Sequence, residues 1–403
     1  MSRKFDITVV GGGMVGLSAV AALAETGLKI LLLEKQAIDL DSFQELLENK
    51  PFEVNDADIR VSAISPANRQ FLTDLQAWQM IPKQCQASYD WMKVWDGDGT
   101  GYIEFSAEDI AHPDLGVIVE NRLIQAALLA RIQSFGNVTF IAGQSLSHIS
   151  VSEDQVDLLL DNDQEYQSRL LIGADGALSD VRQKLAIQSK QIDYDQTAFV
   201  ANVKTELPHQ NTAWQRFTPI GPVAFLPLPK SHHCSIVWSL DKSKAESLES
   251  FSRQEFASKL QHAFESKLGA IELVSDYQGF PLVKRHAERY LSPRVALIGD
   301  AAHTIHPLAG QGVNIGFQDV VCLTELIKQL IAKGRDYSLI ENLRPFERER
   351  KTENLIMQNA MSGFKHLFAN QSMPVTLIRN FAMTALNNFS MAKQGIIKKA
   401  MGL

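Results

Sequence analysis

Cysteine is scarce in this chain: Cys85, Cys234 and Cys322 lie far apart, and no CxxC pair occurs. That excludes a disulfide framework and a dithiol redox centre, and it fits a reducing cytoplasm. Histidine and cysteine nowhere cluster at ligand spacing, so no metal site is expected. No apolar run approaches the roughly 18 residues of a membrane span. The N-terminus leads straight into a strand-like stretch, which leaves no room for a signal peptide. Basic charge is in deficit too, with a formal net charge of −7, and this argues against a nucleic-acid partner. Internal repeats and low-complexity linkers are absent. What is there, 45% hydrophobic and 21% charged residues over 403 positions, makes a globular chain long enough for two or three lobes.

The chain begins with one strand–turn–helix–strand unit. Residues 5–10 are apolar and β-branched, 11–16 are glycine-rich, 17–25 are helical, and 29–33 form a second apolar strand. Gly27 stands where a helix C-terminal glycine belongs. Residues 36–58 read as a polar loop or short helix, and 91–105 as antiparallel strands about the turn Asp96-Gly97-Asp98-Gly99. A helix over 120–132 precedes a strand meander over 138–160 and a buried strand at 169–172. Residues 190–285 alternate in β fashion, with one helical insertion at 250–266. From Arg294 the chain repeats strand, glycine turn and helix, and its last fifty residues are mostly helical. The pattern predicts an α/β fold: a Rossmann-like dinucleotide-binding domain assembled from 1–75, 106–188 and 287–345. A mainly antiparallel β-sheet substrate domain (76–105 and 189–286) is inserted into it, and a helical region (346–403) ends the chain.

Three motifs carry chemistry. In Gly11-x-Gly13-x-x-Gly16 the first glycine makes the tight turn, the second lets a pyrophosphate reach the backbone, and the third lets helix and strand pack closely. The phosphates then meet the free N–H groups and dipole at the helix start. Glu34 would accept hydrogen bonds from the adenosine ribose, and its charge would repel a 2′-phosphate. The second motif runs from Arg294 through Gly299-Asp300 and His303 to His306-Pro307, Gly310-Gln-Gly312-Val313-Asn314. It distinguishes FAD from NAD. Asp300, at the end of an apolar strand, would hold a ribityl hydroxyl, and the helix starting near Gly312 would face the isoalloxazine and favour negative charge there. The third, Gly173-Ala-Asp175-Gly176, places a carboxylate on a strand-to-helix turn. Asp175 there is either a cofactor contact or a helix cap.

Together these segments resemble the class A flavoprotein monooxygenases, the group containing para-hydroxybenzoate hydroxylase, across nearly the whole chain. Within that group the chain is similar to the ubiquinone-biosynthesis hydroxylases through Asp58-Ile-Arg60-Val-Ser-Ala-Ile-Ser65, Val119-Glu-Asn-Arg122, Phe225-Leu-Pro227-Leu228 and His303-Thr-Ile-His-Pro-Leu-Ala-Gly-Gln-Gly-Val-Asn314. Cys234-Ser-Ile-Val-Trp238-Ser and the closing Ala400-Met-Gly-Leu403 lean toward the 2-polyprenylphenol hydroxylase branch. Trp214-Gln-Arg-Phe217-Thr and Gly221-Pro222 lean toward the demethoxyubiquinol branch. The resemblance implies non-covalent FAD, NAD(P)H as transient donor, and hydroxylation of a prenylated phenol or quinol by O2 through a flavin C4a-hydroperoxide. It carries FAD contacts to Gly11, Gly13, Gly16, Glu34, Arg60, Asp300, Gly312 and Asn314, with Met14, Val15, Lys35, Asp175, Gly310 and Val313 beside them. Asn121 departs from the arginine common in the wider class, so Arg122 or Gln125 is expected to supply that contact.

Pro307, Gly310 and Gly312 would form the flavin-side wall of the active site, and the strand carrying Phe225 and Pro227 the opposite, apolar wall. Trp214, Phe217, Phe225 and Trp238 either line a prenyl channel or form plain core. No general base is legible; His303 and His306 are the nearest candidates. Other aromatic substrates, an isoprenoid-lipid reductase and a non-catalytic FAD-binding protein are the rival readings. After Glu353 there is no acidic residue, so 354–403 carry +5 against −12 for the remainder. This basic, apolar tail is read three ways: packed on the acidic body, a homo-oligomer contact, or a peripheral contact with the anionic inner face of the membrane, a lipid carrier or a biosynthetic complex.

Overall fold

The computed structural model describes residues 3–48, 51–248, 250–304, 312–370 and 372–402. Apolar, β-branched strands build an eight-stranded sheet whose centre is parallel. Its order is Leu291–Ser292, Val295–Leu297, Glu165–Gly173, Arg3–Val10, Ile30–Glu34 and Val138–Ala142, with an antiparallel hairpin (Leu146–Val151, Val156–Leu160) attached to Glu165–Gly173. The chain leaves Arg3–Val10 toward Ile30–Glu34 on one side and later returns to pair on the other. The crevice at the carboxyl ends of Arg3–Val10 and Glu165–Gly173 is therefore a topological switch point, where ligands of such sheets bind. Helix Met14–Ala24 is apolar almost all round and is buried accordingly, between the sheet and helices Asn121–Gln133 and Gly312–Ala332.

A nine-stranded, mostly antiparallel sheet forms the second layer, in the order His303–Thr304, Gln278–Ala287, Ser189–Thr205, His233–Asp241, Gly221–Pro227, Thr212–Thr218, Trp91–Asp96 and Tyr102–Ser106, with Ile271–Leu273 on Ser189–Thr205. One pair, Thr212–Thr218 with Trp91–Asp96, is parallel. The single helical insertion expected at 250–266 is two helices, Lys242–Leu248 and Arg253–Ala263, covering one face of this sheet. Strand Ala87–Tyr89, expected in the β domain, instead pairs with Gly116–Glu120 in a three-stranded sheet completed by Val61–Ile64.

The expected boundary at 345/346 falls inside one continuous helix, Ile340–Ala369. Helices Met373–Asn388 and Ser390–Met401 follow it. The first of these lies on the sheet edge Tyr102–Ser106. Asn380 and Asn387, about two turns apart on one helix face, accept the backbone N–H of Gly101 (2.8 Å) and Glu104 (2.9 Å). That satisfies donors which an open edge would expose.

Candidate active site

The first glycine turn is shaped by what it touches. Gly11 has φ +112°, and a Cβ there would stand 2.4 Å from the Ala174 carbonyl; one on Gly16 would stand 1.9 Å from the Gly11 carbonyl. Both glycines are demanded by the protein itself. Gly13 differs: a Cβ on it meets no protein atom within 4 Å. It borders open space at the helix N-terminus, where backbone N–H groups await an anion. Glu34 accepts the N–H of Gly12 (2.5 Å) and of Gln36 (2.8 Å), holding the turn against the second strand. Lys35 is exposed, 3.6 Å from Asp180. Val15 wedges between Gly299 and Gly316, where added Cβ atoms would stand 3.1 and 2.7 Å from its methyls, so its role is close packing.

Of the two residues expected to replace the missing arginine at position 121, the structure separates their roles. Gln125 donates to the Gly12 carbonyl (2.8 Å) and so stands at the turn, whereas Arg122 is drawn to Glu120 (2.7 Å) and the Asp56 carbonyl. Asn121 itself accepts from Ser62.

Asp175 caps the following helix through the Val181 N–H (3.0 Å), while its Oδ1 is buried with no partner among the described residues. Burial pushes its carboxyl above the usual range. Arg182 bridges the Ala177 carbonyl (2.9 Å) to that of Ala301 (2.8 Å), tying the Asp-Gly segment to the Gly-Asp segment. Asp300 opens onto the cleft yet is walled by protein. Its pKa is raised by lost hydration, against the opposing charges of His303, Arg60 and Arg285. An accessible carboxylate at the strand end, open space at Gly13 and an orphaned Asp175 oxygen all fit an FAD laid along this crevice.

Helix Gly312–Ala332 begins there, and a Cβ on Gly312 would likewise meet no atom of the described residues within 4 Å. Asn314 is fully engaged: it accepts from the Ser65 N–H (3.1 Å) and Asn68 (2.9 Å) and donates to the Ala63 carbonyl (2.7 Å). Its side chain fastens the helix start to strand Val61–Ile64, its carbonyl accepts from Asn68 (3.2 Å), and Val313 packs against the core. His306, Pro307 and Gly310 lie outside the described residues.

His303 is not placed as a general base. Its Nε2 is 2.5 Å from buried Asp319, which also accepts from the Gly299 N–H (2.9 Å) and Arg350 (2.8 Å). Burial alone would raise the Asp319 pKa, but His303 and Arg350 pull it down. This charged knot fixes the Gly299-Asp300 turn and was not legible in the sequence, because its members are up to 51 residues apart, from Gly299 to Arg350.

Below the helix start lies an apolar cavity of about 390 Å³. Ala63, Ser65 and Asn314 bound one end, strands Trp91–Asp96, Tyr102–Ser106 and Thr212–Thr218 form its floor, and the last two helices its roof. The strand expected to supply the opposite wall, with Phe225 and Pro227, does not line this cavity, and neither does Trp238. Phe225 is fully buried on the other face of the sheet, stacked on Phe264 at 3.9 Å, and Trp238 packs edge-on against Phe256. Pro227 shares the parity of Phe225 along the strand. Side chains alternate faces, so one strand cannot aim all its large residues at one cavity. Trp214 faces the same core, and Phe217 alone of the four aromatics lines the cavity.

The basic tail is also revised. Arg379 is buried against Asp96 and Lys393 pairs with Asp109 (2.8 Å), whereas Lys398 and Lys399 are exposed. What the tail displays most is apolar: Met373, Leu377 and Phe381, a turn apart on one face, are 72%, 61% and 77% exposed. No helix among the described residues is long and apolar enough to cross a membrane.

With the geometry in place, comparison with known proteins is informative. Residues 100–355 match the family described as FAD binding domain, and 9–38 match NAD(P)-binding Rossmann-like domain. The chain is 33% identical over 403 residues to the 3-demethoxyubiquinol 3-hydroxylase of Escherichia coli K12, covering all of both chains. It is 34% identical over 444 residues to the mitochondrial ubiquinone biosynthesis monooxygenase COQ6 of Danio rerio, covering 98% of this chain and 89% of that one. Among solved structures, p-nitrophenol 4-monooxygenase PnpA from Pseudomonas putida DLL-E4 superposes with a TM-score of 0.78 at 17% identity, covering 100% and 99% of the two chains. That last likeness concerns the fold.

Proposed function

Because this chain belongs to the ubiquinone-biosynthesis hydroxylases of the FAD-binding-domain family, we propose that its apolar cavity receives the ring and first isoprene units of the substrate. The enzyme is an FAD-dependent monooxygenase acting on the aromatic ring of a polyprenyl phenol or quinol, with NAD(P)H as donor and O2 as oxidant. When bound, FAD supplies the electron relay from NAD(P)H and the activation of O2.

The protein's part is binding, orientation and exclusion of water. The Gly11–Gly16 turn and Gln125 would cradle the pyrophosphate, Glu34 the adenosine ribose, and Asp300, with Arg60 nearby, the ribityl chain. Gly312, Val313 and the Asn314 backbone would flank the isoalloxazine. A single observation carries the substrate assignment: the cavity is lined by Asn314, at the start of helix Gly312–Ala332, and by apolar side chains of the last two helices. A ring held at Asn314 places its prenyl tail against Met383, Leu386 and Ile397. The apolar lining keeps water from the reacting carbon.

The exposed apolar face of helix Met373–Asn388 supports a peripheral contact with a bilayer surface, since this helix roofs the cavity a membrane-dissolved tail must enter. The test of the main reading is NADH-driven oxygen uptake with a short prenylated phenol, followed by mass identification of the product. Uptake that the phenol does not stimulate, or product without an added oxygen atom, overturns it.

A further inference from the structure

Among the described residues, five polar side chains line the cavity: Ser65, Tyr89, Gln215, Asn314 and Arg379. Three are committed to the protein. Ser65 caps a helix through the Asn68 N–H, Asn314 fastens the neighbouring helix to Ser65, Asn68 and Ala63, and Arg379 is bonded to Asp96 and to main-chain carbonyls. Gln215 and Tyr89 are not. They are 4% and 7% exposed, no described residue hydrogen-bonds the Gln215 amide or the Tyr89 hydroxyl, and both side chains border the cavity. Buried amides and phenols are normally bonded, because leaving them bare in an apolar wall is costly.

The position of Gln215 is also specific. It stands in a cross-strand row with Ala224, Val94 and Ile103, with Phe217 next on the same face. Among the described residues it is the lone uncommitted polar group on an apolar floor. Tyr89 comes from the other, three-stranded sheet, so the two groups approach the cavity from separate elements.

We infer that Gln215 and Tyr89 are the positioning pair that reads the oxygens of the substrate ring and thereby selects which carbon is hydroxylated. A prenylated ring in a smooth apolar slot can rotate about its tail axis and present different carbons to the oxidant. An amide removes that freedom: its carbonyl accepts the ring O–H, and its NH2 donates to a neighbouring ring oxygen. Tyr89 donates or accepts at a second oxygen. Neither group transfers a proton here. The amide does not titrate, and burial together with the nearby Asp114 charge pushes the Tyr89 hydroxyl above its usual range.

The inference rests on the reading that this cavity holds the ring, and the experiment separates the two. Holoenzyme variants are assayed with a short-chain prenylated phenol and with its methyl ether, measuring NADH consumed and hydroxylated product formed. Gln215→Met keeps the volume and removes the amide. It is expected to lower kcat/KM for the phenol about tenfold, bring the phenol-to-ether preference near unity and raise NADH spent per product, at unchanged FAD content. Tyr89→Phe gives a smaller loss in the same direction. Gln215→Asn, which withdraws the amide by one carbon, gives an intermediate preference and serves if the methionine variant folds poorly. Ile103→Trp fills the cavity and tests the underlying reading. Normal hydroxylation by Ile103→Trp overturns the cavity reading and the pair with it. A blocked Ile103→Trp, alongside Gln215→Met with wild-type preference and coupling, overturns the pair alone.

Discussion

Arg379 and Asp96 form a buried ion pair across 283 positions of sequence, with Nε and NH2 of the guanidinium 2.7 and 2.6 Å from the same carboxylate oxygen. Asp96 ends a floor strand of the cavity, and Arg379 sits on the helix that roofs it. The remaining guanidinium nitrogen donates to the carbonyls of Leu367 (2.7 Å) and Asn370 (3.2 Å), closing the bend between two helices. Arg379→Leu leaves a buried carboxylate uncompensated, a loss of about 3–5 kcal/mol. The double variant Arg379→Leu with Asp96→Leu should recover much of it. Chemical denaturation gives the stabilities, and proteolysis within 370–402 should accelerate in the single variant. Equal stability of wild type and Arg379→Leu would show that the roof is held elsewhere.

Asp300 sets binding against stability. Its folded-state pKa is raised, chiefly by burial, so the folded protein holds this proton more tightly than the unfolded chain. The fold therefore loses stability as pH rises from the ordinary carboxylate pKa through the raised one, and the loss is complete above it. Asp300→Asn removes that loss. The FAD-free variant should melt higher than FAD-free wild type at neutral pH, with the gap shrinking below pH 4. Its FAD affinity should fall, because a charge-assisted hydrogen bond contributes roughly 1.5–3 kcal/mol. Melting curves against pH and flavin titration check both halves; unchanged flavin affinity removes Asp300 from the site.

The glycines make a paired test of what is fold and what is ligand. Gly16→Ala drives a Cβ into the Gly11 carbonyl and should destabilise the protein with or without flavin. Gly13→Ala and Gly312→Ala meet no atom of the described residues within 4 Å. They should leave the melting temperature of the FAD-free protein within a degree or two while weakening flavin binding or slowing hydroxylation. A Gly13→Ala enzyme with wild-type flavin affinity would place the pyrophosphate elsewhere.

The parts legible in the sequence are those encoded by local rules. Gly11–Gly16 with Glu34 announces its turn because the same short stretch makes strand, loop and helix. Asp300 is marked by the apolar strand before it. The cavity was misread for an equally physical reason. Phe225 and Trp238 are conspicuous as aromatics, but which face of a strand meets the ligand depends on register with neighbours far away in sequence. Trp214 and Phe217, three positions apart, cannot share a face of a regular strand; Trp214 packs on Trp95 on one face and Phe217 on Phe368 on the other, contacts that no local pattern announces. Gln215 carries no local signal; it becomes notable only once Val94, Ile103 and Phe217 are seen around it. Arg379 and Lys393 likewise read as free cations until Asp96 and Asp109 appear beside them.

The tail offers the last prediction. If helix Met373–Asn388 rests on a bilayer, apolar insertion should outweigh charge. Burying an aliphatic or aromatic side chain contributes about 1.5–3 kcal/mol, so Met373, Leu377 and Phe381 together exceed the roughly 1 kcal/mol that each exposed lysine adds near an anionic leaflet. Lys398 and Lys399 are the exposed cations among the described side chains after Glu353. Leu377→Glu with Phe381→Glu should therefore abolish co-sedimentation with vesicles containing anionic phospholipid. Lys398→Glu with Lys399→Glu should only weaken it, most visibly at low salt. Neither pair lines the cavity, so turnover of a short-chain soluble phenol should persist in both, while turnover of a long-chain substrate held in vesicles falls with binding. Wild-type protein that stays in the supernatant with anionic vesicles at low salt would sink the membrane contact and leave this face to a protein partner or a second copy of the chain.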